Sequence, residues 1–273
     1  MDTRGTKIAR TGFGVDFLTR NGYDVVYVAQ GAKTYFQGLS ADAYMRAIVP
    51  VAGNREIVTY GASLGGYCAI YFGSHVDARI VALSPNNRMH PIRGAVFDYR
   101  HTASLFDMPR SSISPVIAYD PWHAEDADFV DGWARPAYPD AQFVHVPITG
   151  HKTARKLQDA GRLKSLVFDA FAGRDIAPEI RVFEDGSPDA CLLAFRQAAR
   201  AKDKAAMADT TAALIASMPS AQALKAAWKA AAQLGRRDLR IEILRVIETA
   251  GMQDQKHAQH ILASARAAGL TAS

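Results

Sequence analysis

Five short apolar runs set what the first part of this chain can fold into. They are Asp24–Val28, Glu56–Tyr60, Arg79–Leu83, Pro115–Tyr119 and Gln142–Val146. Rich in Val and Ile and almost unbroken by polar residues, they read as strands buried on both faces. Helical stretches separate them, among them an amphipathic one around Val15-Asp16-Phe17-Leu18 and another at Ala41–Ile48. Strands joined through helices pair in parallel. The expected fold class is therefore α/β, a mainly parallel sheet sandwiched by helices, in a domain spanning residues 1–175.

From about Ser187 the composition changes: Ala and Leu dominate and β-branched runs vanish. Ser187-Pro188-Asp189 is a helix start, a capping serine followed by proline at the first helical position. Met218-Pro219-Ser220 ends one helix and caps the next, and Gly235 and Gly251 read as helix stops. The punctuation predicts helices near 188–201, 203–217, 221–234, 237–250 and 254–268, joined by turns so short that neighbours run antiparallel. Residues 187–273 are thus expected to form an all-α domain of helical hairpins. A shift of 33 residues carries Phe195 onto Trp228, Ala206 onto Leu239 and Leu214 onto Ile247. That period resembles tetratricopeptide-type repeats, with an ordinary alanine-rich bundle as the alternative.

Composition narrows the function classes. No stretch approaches the roughly 18 apolar residues of a membrane span, and the polar Met1–Arg10 is no signal peptide. With only Cys68 and Cys191, a disulfide scaffold is excluded and a zinc cluster disfavoured, which points to a reducing cytoplasm. The net charge is +5, but Lys and Arg are scattered, so no nucleic-acid partner is expected. No P-loop, no dinucleotide G-x-G-x-x-G after a strand and no H-E-x-x-H motif occurs, and no cofactor or metal is expected.

Chemistry enters at Gly61-Ala62-Ser63-Leu64-Gly65, placed directly after an apolar run and before the helical-looking Gly66–Phe72. A serine hydroxyl is a poor nucleophile unless it is raised from the fold, given a base and faced by an oxyanion site. A tight strand-to-helix turn raises it, and its glycines leave room where side chains would collide. The base must be a histidine, itself oriented by a carboxylate. His151 follows the run Phe143–Val146 in a Gly-His loop, whereas His145 lies within that run and reads as structural. Two acids compete. Asp120 stands at the tip of the run 116–119, where it could serve only to cap the turn before Pro121. Asp126 lies in the following loop, ahead of a helix from Phe129, and is preferred, with Asp128 behind both. For each, the competing reading is a helix cap or an Asx-turn.

These three elements, in the order Ser, acid, His, make residues 13–155 resemble the α/β-hydrolase superfamily. Tyr60–Tyr67, Ala82-Leu83-Ser84-Pro85 and Tyr119-Asp120-Pro121 are similar to a poorly characterised bacterial branch of it. The resemblance implies Ser63 as nucleophile, His151 as general base and then acid, and Asp126 or Asp120 as its orienting carboxylate. It implies the backbone N–H of Leu64 as one oxyanion donor. The second would come from the loop at Met1–Gly14, with Asp2, Thr3 and Arg4 as candidates and Thr3 carried forward.

One departure stands out. The superfamily places a strand ahead of that loop, between the strands corresponding to Asp24–Val28 and Glu56–Tyr60, and nothing in Met1–Arg10 reads as one. The expectation is that the chain starts late, that an upstream strand of five or six residues belongs there, and that the sheet carries an unpaired groove. Pairing of those two runs directly, or through the first ten residues, would contradict it.

The connection from Ser84 to Ile113 carries Asn86-Asn87, Met89-His90-Pro91, Phe97, Tyr99 and Phe106. It is either a roof over the serine or an ordinary crossover, and Arg88, Arg93 and Arg100 in it would favour an anionic substrate. The expected activity is that of a serine hydrolase cleaving a small-molecule ester or thioester of a small or medium acyl group, with acyl transfer using the same residues. The rival is a degenerate hydrolase fold kept as a binding module. In either case residues 187–273 are the candidate surface for a protein partner or for self-association.

Overall fold

The computed structural model describes residues 12–30, 34–93, 108–217 and 219–272. The chain divides into two compact units, with the division between Val182 and Phe183.

The first unit is built on a four-stranded parallel sheet whose spatial order follows the sequence: β1 (Val58–Ala62), β2 (Arg79–Leu83), β3 (Val116–Tyr119) and β4 (Gln142–His145). Tyr60 lies opposite Val81, Leu83 opposite Ala118, and Ala118 opposite Val144. Its helices are α1 (Val15–Thr19), α2 (Ala41–Ala52), α3 (Leu64–Ser74), α4 (Ala124–Phe129), α5 (Arg135–Ala137), α6 (Thr153–Asp159) and α7 (Leu163–Phe171). Successive strand residues point to opposite faces, and the cores follow this alternation. Ile80, Ala82, Ile117 and Tyr119 join a core with Tyr44 and Ile48 of α2 and with Tyr67, Ile70 and Phe72 of α3. Val81, Leu83, Val116 and Ala118 join another with Leu157 of α6 and with Leu166 and Val167 of α7. Apolar residues at both parities are what allowed these runs to be read as doubly covered strands.

The boundaries moved slightly. The strand expected at Glu56–Tyr60 is displaced two residues to Val58–Ala62, and the one expected to reach Val146 stops at His145. One expectation fails outright. Asp24–Val28 has the composition of an interior strand but belongs to none, because a strand exists only as part of a ladder and this run has no ladder partner among the described residues. It lies along a groove whose other wall is β1. Among the described residues β1 is accordingly an edge strand, with alternate residues half-exposed, while β3 is buried throughout.

The second unit consists of α8 (Pro188–Ala201), α9 (Lys204–Ala216), α10 (Ala221–Gln233), α11 (Arg237–Thr249) and α12 (Lys256–Ala267). The capping signals act as read. Ser187 Oγ accepts from Ala190 N at 3.3 Å and Ser220 Oγ from Ala223 N at 3.3 Å. Gly235 and Gly251, at φ 69° and 64°, follow the ends of α10 and α11 in the left-handed conformation. Of the residues related by the 33-residue shift, Phe195, Leu214, Trp228, Leu239 and Ile247 enter one buried core, whereas Ala206 does not. Trp228 Nε1 donates to Ser264 Oγ at 3.2 Å, tying α10 to α12. Among the described residues no helix is long and apolar enough to cross a membrane.

Candidate active site

Ser63 occupies the single residue between β1 and α3, at φ 55° and ψ −125°. A non-glycine residue adopts such a backbone only when its surroundings impose it. Here Ser63 N donates to Leu83 O at 2.9 Å, and Ser63 O accepts from Tyr67 N at 3.0 Å and Asn86 N at 3.2 Å. The flanking glycines make the turn possible. A Cβ on Gly61 would lie 2.3 Å from the Gly65 carbonyl carbon, and one on Gly66 would lie 3.2 Å from Leu83 O. Leu64 is the first residue of α3, so its N–H has no acceptor within the helix and stands beside the serine.

His151 reaches Ser63 from 88 residues away: Ser63 Oγ and His151 Nε2 are 2.7 Å apart. On its other side His151 Nδ1 lies 2.8 Å and 3.0 Å from the two oxygens of Asp126. A carboxylate only accepts, so Nδ1 carries the proton donated to Asp126, and Nε2 is left to accept from the serine hydroxyl. Asp126 is fully buried, while His151 is 36% exposed on its side chain, open to the cleft above Ser63.

The turn that presents His151 is fixed by buried polar contacts. Gly150 has φ 56° and Ile148 φ 63°. Thr149 Oγ1 donates to Val146 O at 2.7 Å and shares a 2.9 Å hydrogen bond with Thr153 Oγ1, which accepts from Ser84 Oγ at 2.8 Å. Asp120 acts here too. Its Oδ2 accepts from Gly150 N at 2.8 Å and its Oδ1 from Trp122 N at 2.9 Å. Asp120 thus takes the role weighed against it in the sequence, closing its own turn, and in addition clamps the loop that carries His151. Asp126 stands in the first turn of α4 rather than in the loop expected ahead of a helix at Phe129. His145 is the last residue of β4, and its backbone N–H donates to Pro178 O at 2.8 Å while its carbonyl accepts from Ile180 N at 2.9 Å. Thr3 lies outside the described residues, as do Phe97, Tyr99, Arg100 and Phe106.

Two neighbours escaped the sequence reading as partners of the acid. Asn86, 6% exposed, donates from Nδ2 to Asp126 Oδ1 at 2.9 Å, while its backbone N–H holds the Ser63 carbonyl. One residue therefore braces both ends of the Ser–His–Asp row. Its signal was an asparagine immediately beyond an apolar strand, at Ser84-Pro85-Asn86. The other is His123, whose Nδ1 is 3.4 Å from Asp126 Oδ2. His123, Asp126 and His151 offer ligand atoms within 4.8 Å of one another, a donor set of the kind that holds a transition-metal ion. Two of those groups, Asp126 and His151, are already joined at 2.8 Å.

The cleft above Ser63 encloses about 340 Å³. Tyr35, Asn87, Arg88, His123 and Glu125 line it, so its rim is mainly polar and carries charges of both signs. His90 packs edge-on against Phe129 and Trp133, and burial lowers its pKa to about 4. His90 Nδ1 accepts from Ile92 N at 3.2 Å, a role open only to the neutral ring.

Comparison with protein-family models, with curated proteins and with solved structures finds no match for this chain. What can be said of its function rests on the residues themselves.

Proposed function

We propose that the protein is a serine hydrolase of α/β-hydrolase type that cleaves an ester or thioester of a small or medium acyl group through an acyl-enzyme. The observation that carries this reading is the row Ser63 Oγ, His151 Nε2, His151 Nδ1 and Asp126, with contacts of 2.7 Å and 2.8 Å. Ser63 Oγ attacks the carbonyl carbon as His151 takes its proton. Asp126 holds the ring in the tautomer that can accept and stabilises the imidazolium that forms. The Leu64 N–H faces the developing oxyanion. His151 then protonates the leaving alcohol or thiol, and water, deprotonated by the same ring, releases the acid. Transfer to an acceptor alcohol would use the same steps. Neither a metal nor a cofactor is invoked for any of them. The mainly polar cleft favours small hydrophilic esters over long alkyl chains.

The test is hydrolysis of short-chain p-nitrophenyl esters by the wild type beside Ser63→Ala and His151→Ala. Removing either residue should lower kcat by roughly three to six orders of magnitude. Wild type and Ser63→Ala at equal, background rates would transfer the assignment to the second reading, a hydrolase fold kept as a binding module. One observation favours that second reading: among the described residues β1, which carries the nucleophile, is paired on one side only.

A further inference from the structure

His123 takes no part in the proposed proton transfer from Ser63, yet it is built into the same corner of the fold. It is the N-cap of α4, and its carbonyl accepts from Asp126 N and Ala127 N at 3.0 Å each. Residues so spaced on a helical turn face the same way, and His123 Nδ1 comes within 3.4 Å of Asp126 Oδ2. From the other side the ring meets the loop of His151. The two imidazole centroids are 5.9 Å apart, and a Cβ on Gly150 would lie 3.9 Å from His123 Cδ2.

His123 Nδ1 is buried and makes no hydrogen bond among the described residues, although the side chain as a whole is 31% exposed. It faces a carboxylate already supplied with donors: Asp126 Oδ1 accepts from Asn86 Nδ2 at 2.9 Å and from His151 Nδ1 at 2.8 Å. A cation bridging ring and carboxylate would give the orphaned nitrogen a partner. The spacing suits one. Ligands bound at about 2.0–2.1 Å around a tetrahedral zinc ion stand roughly 3.3 Å from one another. Here His123 Nδ1 and Asp126 Oδ2 are 3.4 Å apart, and the ligand atoms of His123, Asp126 and His151 all lie within 4.8 Å. Two imidazoles and one carboxylate suit zinc or another first-row transition ion, whereas magnesium and calcium want oxygen ligands throughout. Both rings line the cleft over Ser63, which gives the ion its way in and leaves its fourth position open.

We propose that His123, Asp126 and His151 form an inhibitory site for a divalent transition-metal ion such as zinc, whose binding switches off Ser63. The ion takes His151 Nδ1 in place of its proton. The ring keeps one proton, which moves to Nε2, and a protonated Nε2 has no lone pair for the Ser63 hydroxyl. Asp126, held by the ion, no longer orients the ring for catalysis. The binding rests on the three donors alone, and its effect on activity rests on the serine-hydrolase reading.

The test titrates zinc sulfate alone into the full chain by calorimetry, beside His123→Ala and His123→Gln, each checked for folding by circular dichroism. Turnover of a short-chain p-nitrophenyl ester is followed over the same zinc range. One ion per chain should bind, and about tenfold or more weakly in both variants, since losing a ligand costs at least what losing an outer-shell partner does. Wild-type turnover should fall with the midpoint of the binding isotherm and return on adding EDTA. In each variant, relative to its own zinc-free rate, the fall should need about tenfold more zinc or greater. Magnesium should neither bind there nor inhibit. Equal zinc affinity in the wild type and both variants would put the ion elsewhere. Turnover that survives a filled site would make the ion harmless, and turnover that rises with zinc would make it a cofactor. Each of these results, or no zinc binding at all, overturns the proposal. A wild type that binds zinc through His123 but turns over no ester even with EDTA would support the site and count against the hydrolase reading instead.

Discussion

Ser63 is held at a backbone angle that only close approach of the neighbouring chain can enforce, and Gly61 is where that approach is tightest. Gly61→Ala is expected to destabilise strongly, because its Cβ meets backbone rather than a side chain that could swing away. A Tm several degrees lower would show it, and an unchanged Tm would contradict the steric account. The two aspartates should separate by the atoms they hold. Asp126→Asn is expected to lower kcat by about 10⁴, since an amide there favours the wrong imidazole tautomer. Asp120→Asn keeps an oxygen for Gly150 N or Trp122 N but not for both, so its effect should be smaller and accompanied by lost stability. Asn86→Ala should lower kcat about tenfold or more with little change in KM, as expected for a residue that positions Asp126. At this scale the sequence was legible where the geometry is local, as in Gly-x-Ser-x-Gly and Gly150-His151. It was not legible where the partner lies 40 residues away, as Asp126 does from Asn86, or where the answer turned on the first residue of α4.

Among elements, the strands and helices of the first unit declared themselves because apolar residues at both parities leave no alternative to a doubly covered strand. The run 24–28 shows the limit of that argument. Val25-Val26-Tyr27-Val28 has the composition, but pairing needs a second segment in register, and none of the described residues supplies it. The helices of the second unit were readable to within a residue or two at most ends because their stops are chemical, Ser220 and Gly235 being the clearest. Ser220→Ala should cost about 1 kcal/mol of stability, the usual loss for an N-cap. Urea unfolding of Ser220→Ala that matched the wild type would show that α10 is held by packing alone. The segment at His90 carries a pH dependence. Its folded pKa, about 4, lies below the ordinary 6.5. The unfolded chain therefore binds a proton over that interval that the folded one refuses, and stability from His90 is full above pH 6.5 and is lost as pH falls toward 4. His90→Phe should flatten the fall in Tm between pH 6.5 and 4, leaving what other groups contribute.

For the whole molecule, the composition break near Ser187 foretold two units, and the cores agree: the residues that fill the helical unit belong to neither core of the sheet unit. Leu224→Ala, at a fully buried position in α10, should remove about 2–5 kcal/mol from the helical unit by leaving a cavity. Its signature is earlier loss of helical circular dichroism on heating while reactivity at Ser63 at 25 °C persists. The account's central claim is that Ser63 is an activated nucleophile. It is tested most directly by incubating the protein with a fluorophosphonate and mapping the adduct by mass spectrometry. A single phosphonyl group on the peptide bearing Ser63, formed by the wild type and lost in His151→Ala, is the result predicted. No adduct at Ser63, or one formed equally well without His151, would contradict the account.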